Sequence, residues 1–291
     1  MAAQTTILVT GATGNVGRQV VSQLIAAHSG TVRALTRNPA AAELPDDVDI
    51  RQGDLGDPSA LEAALEGANA VFLMWPFHHA DPAAAVVDVI KRHAQRVVFL
   101  SSGAVQTGLA PERQPHPVGR SHGRVEQLIE ESGLRWTHLR PSTFAANTLW
   151  WAPQIRTADV VHGAYGDVPM ALLHEADIAA VAVHALTEDG HDRAIHILTG
   201  PEVLTQAEQV RTIGQVLNRP LQWQELPHEA ARRRLLADDT FPDSFVDPLL
   251  DGYADMLAGP RPALTHTVEA VTGTPARTYR TWVSDHAAAF R

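Results

Sequence analysis

Residues 11–17, Gly-Ala-Thr-Gly-Asn-Val-Gly, constrain this chain more than any other stretch. They follow Thr-Ile-Leu-Val-Thr at 6–10, a short β-branched apolar run. They precede residues 15–27, where Val16, Val20, Leu24 and Ala27 share one helical face. Strand, glycine turn and helix in that order open a βαβ unit whose turn can receive the pyrophosphate of a dinucleotide. Gly11 permits the tight turn, Gly14 lets a phosphate approach the backbone, and Gly17 lets the helix pack closely on the strand. The helix start adds unpaired N–H groups and the positive end of its dipole. Thr13, Asn15 and Val16 join the three glycines as candidate cofactor-binding residues.

The pattern after this turn repeats it. Strands are predicted at 31–36, 49–53, 70–74, 96–101 and 136–140, with helices at 58–66, 82–93 and 123–132 between them. Alternation with short connections gives a parallel, doubly wound α/β sheet of the Rossmann type with helices on both faces. Past Pro141 the pattern loosens, and 147–167 reads as irregular chain with short helices. A helix at 175–186 and a last strand at 194–199 return to the sheet. Helices near 206–217, 229–237, 243–257 and 275–290, with a short strand at 222–226, complete the chain. The expected organisation is a dinucleotide-binding core over 1–143 and 171–200, and a small, mostly helical substrate lobe over 144–170 and 201–291.

A net charge of −10 argues against nucleic acid or an anionic membrane as partner, since both need a basic face. No cysteine is present, which removes thiolate chemistry and disulfides. No apolar run approaches the ~18 residues of a membrane span, and the first residues lack the layout of a signal peptide. The expectation is a cytoplasmic protein, monomer or homodimer, acting on a small molecule.

The end of the second strand bears on which dinucleotide is bound. An acid there would accept from a ribose 2′-OH, but the chain reads Ala34-Leu-Thr-Arg37-Asn38. Arg37 can pair with a 2′-phosphate, so NADP(H) is expected over NAD(H); the alternative is a solvated loop arginine. Arg33 assists if it points outward. Asp54-Leu55 closes the third strand, where Asp54 either accepts from an adenine amine or caps the next helix.

At this point the chain resembles the atypical short-chain dehydrogenase/reductases of the NmrA-like group. The resemblance rests on TGATGNVG, RALTRNP, GDL, VVFLSSGAV, HGRVEQLIEESGLRWTHLRPSTFAAN and the closing TVEAVTGTPARTYRTWVSDHAAAF. It covers essentially the whole chain and is nearest to quinone, triphenylmethane-dye and ergot-alkaloid iminium reductases. It implies hydride transfer from a nicotinamide cofactor; the group also includes NADP-binding regulators without catalysis.

One departure matters. Where the wider superfamily reads roughly Y-G-K-S-K, this chain has VGRSHGRVE at 118–126, with Val118 for the tyrosine and His122 for the lysine. Lys91 is the only lysine, and Tyr165, Tyr253 and Tyr279 are the only tyrosines. Reducing a plain ketone develops an alkoxide whose conjugate acid has a pKa near that of water, ~15.7, and calls for a positioned acid. A quinone develops a phenolate-like anion, with a pKa of about 10, and an iminium or cationic dye needs no proton at all. The surviving chemistry is hydride transfer to a conjugated or cationic acceptor. His122 can serve as an acid, as a ribose contact or as packing under the cofactor.

Ligands of such sheets lie beyond the carboxyl ends of the strands. Met74, Trp75 and Pro76, Ser101, then Pro141, Thr143 and Phe144 are therefore cofactor candidates. Phe77, His78, Gly103, Asn147, Trp150, Trp151 and Tyr165 are substrate candidates, as a flat aromatic slot. Ser101 and Ser102 either bond nicotinamide or substrate oxygen, or cap the strand end. Trp150 and Trp151 either line the slot or pack the lobe, and on a regular helix the two cannot both face inward. His78-His79 with Asp81 lacks helical metal spacing, so no metal is expected, and Arg232-Arg233-Arg234 reads as a solvated helix face.

Overall fold

The computed structural model describes residues 5–238 and 241–291. The elements run β1 (Thr6–Val9), α1 (Asn15–Ala26), β2 (Thr31–Thr36), β3 (Asp49–Gln52), α2 (Pro58–Leu65), β4 (Ala70–Met74), α3 (Ala83–His93) and β5 (Arg96–Leu100). They continue with α4 (Pro117–Glu131), β6 (Arg135–Pro141), α5 (Ala152–Thr157), β7 (Val160–Gly163), β8 (Pro169–Met170), α6 (Glu175–Thr187) and β9 (Ala194–Leu198). Then come β10 (Leu204–Thr205), α7 (Gln206–Leu217), β11 (Gln222–Glu225), α8 (His228–Leu236), α9 (Asp243–Ala258), α10 (Thr267–Thr272) and α11 (Tyr279–Asp285).

The chain divides into two compact units. The first holds the residues through Ser142 with Glu175–Leu198 and His266–Pro275. Its seven strands form one parallel sheet in the order β3-β2-β1-β4-β5-β6-β9. The order reverses between β1 and β4, so the strand ends there splay apart and leave a crevice at the glycine turn. Leu8, Leu35, Val71, Leu73, Val97 and Phe99 bury one sheet face against Leu61 and Leu65 of α2, Val86 and Ile90 of α3, and Val125 and Ile129 of α4. On the other face α1 packs with α6, which is buried along nearly its whole length. The α10 segment, which the sequence pattern alone places with the lobe, packs on α6.

The second unit holds Thr143–His174, Thr199–Thr265 and Ala276–Arg291. It is not wholly helical: β7 pairs in parallel with β11, and β8 antiparallel with β10. One core gathers Ile155, Val161, Val210, Ile213, Trp282 and Phe290. A smaller one gathers Ala231, Phe241, Val246 and Leu250. α7 begins with a complete capping box, Thr205 to Glu208 and back.

Helix α4 begins at Pro117, six residues ahead of the expected 123. Pro117 stands in the first turn, where its missing N–H costs nothing, and the His116 side chain accepts from the Val118 N–H. Val118, Gly119 and His122 are therefore all helical.

Candidate functional site

The glycine turn leaves β1 and enters α1 within five residues. Gly11 has φ +62°, and the Gly14 N–H bonds back to its carbonyl at 2.9 Å. A Cβ at Gly17 would lie 2.0 Å from the Gly11 carbonyl oxygen, so α1 and the turn touch backbone to backbone. Gly14 differs: its φ of −84° suits any residue, and a Cβ there would meet the Gly11 oxygen at 3.3 Å. α1 has no side-chain cap and no acid in its first turn, whereas α2, α7 and α11 are capped by Asp57, Thr205 and Thr278. An uncapped helix start facing a glycine cradle, with Thr13, Gly14 and Asn15 exposed, fits a pyrophosphate. Val16 presents only its backbone, because its side chain is buried.

Arg18, which sequence reasoning missed, braces this turn. Its guanidinium donates to the carbonyls of Thr13 and Glu43, both at 2.9 Å, joining the glycine turn to the loop after β2. Its signal is an arginine one turn into a helix that follows a glycine turn.

At the end of β2 the two candidate arginines separate. Arg33 is buried, bonded to Asp49 at 2.7 Å and to the carbonyls of Ala64 and Glu66. Asp49 sits beside it in register on β3, and its carboxyl is held below the usual range despite partial burial, by bonds from Arg33 and Arg51. Arg33 is thus removed from any ligand. Arg37 is exposed, and its guanidinium has no partner among the described residues. Asp54 is not the helix cap; Asp57 is, accepting from Ser59 and Ala60. Asp54 closes a local turn by accepting from the Gly56 N–H at 2.8 Å and is exposed, while Leu55 lies in the core.

After β4, Met74 covers Gly11: a Cβ on Gly11 would fall 2.4 Å from Met74 Cε. Trp75 is 5% exposed and sits in the core, its Nε1–H donated to the His79 carbonyl at 3.0 Å. Its ring is therefore closed to a ligand and its backbone alone remains. Phe77 packs edge-on against Trp75, Pro76 and His78 are exposed, and His79 pairs with Asp81 at 3.2 Å.

After β5 the serines part company. Ser101 is buried and donates its hydroxyl to Glu126 Oε1 at 2.5 Å. Arg140 clamps the same carboxylate from Nε at 2.9 Å and Nη2 at 2.5 Å, and donates from Nη1 to the Val105 carbonyl and Thr107 Oγ1. This buried triad, invisible to sequence reasoning, engages the Ser101 hydroxyl as a donor within the protein. Ser102 is half-buried and accepts from the Ala104 N–H at 3.1 Å. Gly103 is exposed and donates its N–H to the Pro141 carbonyl at 2.9 Å, which joins the ends of β5 and β6.

His122 stacks on Phe99, with centroids 5.8 Å apart. Its Nδ1 lies 3.1 Å from the Val118 carbonyl. A carbonyl can only accept, so Nδ1 carries the proton and Nε2 is left as a lone pair. Burial pushes the ring's pKa below the ordinary 6.5, outweighing the Val118 bond and the Glu126 charge. The neutral ring can accept a hydroxyl proton but has none to give at Nε2. Val118, at the usual tyrosine position, is exposed.

The second unit carries an aromatic cavity, partly open to solvent, whose walls include Trp150, Trp151, Trp223, Phe241 and Tyr253. The two adjacent tryptophans both reach it. They close a 3-10 turn over Ala145–Trp151, not a regular helix, and pack into different clusters. Trp150 meets Phe241 and Phe245 edge-on, and Trp151 meets Trp223. Tyr165 has φ +63°, and its hydroxyl is 2.9 Å from His228 Nδ1. The Thr143 carbonyl accepts from Leu173, and Phe144 bridges to the same residue. Asn147 is half-buried.

Comparison with known proteins gives the class. The family described as NAD(P)H-binding matches residues 11–189. A relative named (4-alkanoyl-5-oxo-2,5-dihydrofuran-3-yl)methyl phosphate reductase, from Streptomyces griseus subsp. griseus, is 41% identical over 98% of this chain and 99% of its own. The NAD(P)H azoreductase of Xenophilus azovorans is 34% identical over 98% and 99%. The NADPH-dependent quinone oxidoreductase of Escherichia coli, solved with NADPH, superposes with TM-score 0.80 at 26% identity, over 97% of this chain and 99% of that one. The chain belongs to the NAD(P)H-binding family, within the atypical short-chain dehydrogenase/reductases of the NmrA-like group. It is an NAD(P)H-dependent oxidoreductase.

Proposed function

We propose that the protein reduces a conjugated, electron-poor small molecule by hydride transfer from NADPH, with no resident proton donor at the head of α4. The observation that carries this is the pair Val118 and His122: one side chain has no proton, and the other is neutral with its proton donated to a carbonyl. The named relatives agree in kind, since an azo compound, a quinone and an oxo-dihydrofuran with an alkanoyl group are all electron-poor conjugated acceptors.

The glycine cradle and the α1 N-terminus hold the pyrophosphate, Arg37 the 2′-phosphate, and the exposed carboxylate of Asp54 the adenine amine. His122 accepts from a ribose hydroxyl through Nε2. Bound NADPH supplies the hydride, and the protein's part is to bind and orient. The product anion takes its proton from water.

Two measurements test this. NADPH oxidation should be at least ~100-fold faster in kcat/KM with a naphthoquinone or an azo dye than with cyclohexanone, about 3 kcal/mol of barrier. With the quinone, kcat/KM should stay flat from pH 7 to 9. The sign follows from His122: a pKa below 6.5 leaves its ring neutral across that window, so this group does not change charge there. A tenfold fall per pH unit would identify a required acid and overturn the reading.

Arg37→Glu tests the cofactor. The variant should weaken NADPH by about 10–100-fold, the 1.5–3 kcal/mol of a charge-assisted bond, and NADH by less than about threefold. Titration calorimetry decides, and equal losses refute the assignment.

A further inference from the structure

The three consecutive arginines of α8 are all solvent-accessible, as a solvated helix face requires, but their partners differ. Arg232 clamps Asp247 of α9 from two nitrogens, at 2.5 and 3.0 Å. Arg233 is exposed and is not among the residues lining the aromatic cavity of the second unit. Arg234 is also exposed, but it lines the aromatic cavity of the second unit and has no carboxylate within ion-pair distance among the described residues.

The other polar groups of that wall narrow what the cavity can take. Gln154 is occupied by the backbone N–H and carbonyl of His162, and Gln206 by the carbonyls of Ala164 and Tyr165. Asp238, one turn beyond Arg234, is already engaged within the protein. The groups left to a ligand include the Arg234 guanidinium and the His162 ring, neither of which has a partner among the described residues. The rest of the wall is dominated by flat rings. Rings accept a planar conjugated body, and a planar fork of donors suits a carboxylate, sulfonate or phosphate. The same fixed positive charge repels a cationic ligand from a cavity that its rings alone would open to one.

We propose that this cavity is a receptor for a planar conjugated molecule bearing an anionic group, with Arg234 receiving the anion. The proposal rests on the reductase reading above only in taking the bound molecule to be the hydride acceptor. It selects, among conjugated acceptors, anionic ones over cationic dyes and iminium compounds.

The test is first a binding measurement on the full chain. 1-Anilinonaphthalene-8-sulfonate and its uncharged parent, N-phenyl-1-naphthylamine, are titrated by fluorescence against wild type, Arg234→Gln and Arg233→Gln. The expected result is a tenfold or greater loss of sulfonate affinity in Arg234→Gln, with the uncharged parent changed less than about twofold. Arg233→Gln, which removes the same charge from the same helix outside the cavity, should leave both unchanged. Sulfonate binding that survives Arg234→Gln, or falls equally in Arg233→Gln, overturns the proposal. A second arm measures kcat/KM for NADPH oxidation with 1,4-naphthoquinone-2-sulfonate and 1,4-naphthoquinone; Arg234→Gln should lower the first and spare the second. If neither quinone is reduced while the binding pattern holds, the reductase reading fails and the anion receptor stands.

Discussion

Gly14→Ala should leave the melting temperature of the cofactor-free protein within about 2 °C of wild type and weaken NADPH about 10–100-fold. Gly17→Ala should do the reverse, lowering stability by about 3 kcal/mol or more before any ligand is added. The two glycines stand one helical turn apart, but their neighbours differ. A methyl on Gly17 would overlap the Gly11 carbonyl oxygen at 2.0 Å and its carbon at 2.7 Å, and both are backbone. Nothing there can rotate away, so α1 must lift off the turn. The gain of about 1 kcal/mol from alanine's helix propensity does not offset that. A methyl on Gly14 meets the same oxygen at 3.3 Å, which a shift of a few tenths of an ångström relieves. The apo fold therefore does not require glycine at 14. What it leaves there is an exposed helix start with no cap, and a methyl on that surface holds a phosphate away from the N–H groups. Thermal scans with and without NADPH, together with calorimetry, separate the two costs. A Gly14→Ala variant that binds NADPH like wild type would remove the α1 N-terminus as the pyrophosphate seat.

The same contrast shows what a sequence can and cannot display. The turn, the strand before it and the helix after it are written in contiguous residues, and so is the arginine at the end of β2. Which arginine stays free is not local. Arg33 and Arg37 are four residues apart, and the register of β2 on β3, which sets Arg33 beside Asp49, separates a structural ion pair from an open guanidinium. Helix α4 was legible only from 123 onward, and Gly119 lies in the stretch that was missed. In the fold, Gly119 is where the Ala104 carbonyl passes, 2.6 Å from the place a Cβ would take, so the glycine marks a close approach and not an end. Likewise Val160–Gly163 reads as irregular, because its partner strand lies some 60 residues on. There Trp223 lies over Gly163, 2.3 Å from where a Cβ would stand. No short-range pattern encodes that pairing, and the aromatic cavity depends on it.

The second large effect concerns the triad beneath the β5 loop. Arg140→Met should lower unfolding free energy by about 3–5 kcal/mol, whereas Glu126→Leu with Arg140→Met together should cost far less than the two single changes added. Both side chains are almost fully buried, and Arg140 meets both carboxylate oxygens of Glu126. Removing the guanidinium strands a carboxylate whose remaining described hydrogen-bond partner is the Ser101 hydroxyl. Removing the carboxylate strands a guanidinium held by the Val105 carbonyl and Thr107. Either orphan carries the full desolvation cost of a charge, and removing both removes that cost. Urea denaturation of the four proteins closes the cycle, and additive single effects would show that the carboxylate and guanidinium are not coupled. The double variant also bears on catalysis. Arg140 fixes Val105 and Thr107 in the loop carrying Ser102 and Gly103, so a stable double variant with weakened NADPH binding would mean that the triad holds that loop in place for the cofactor. Unchanged binding would mean that Gly103, bonded to the Pro141 carbonyl at 2.9 Å, anchors the loop by itself.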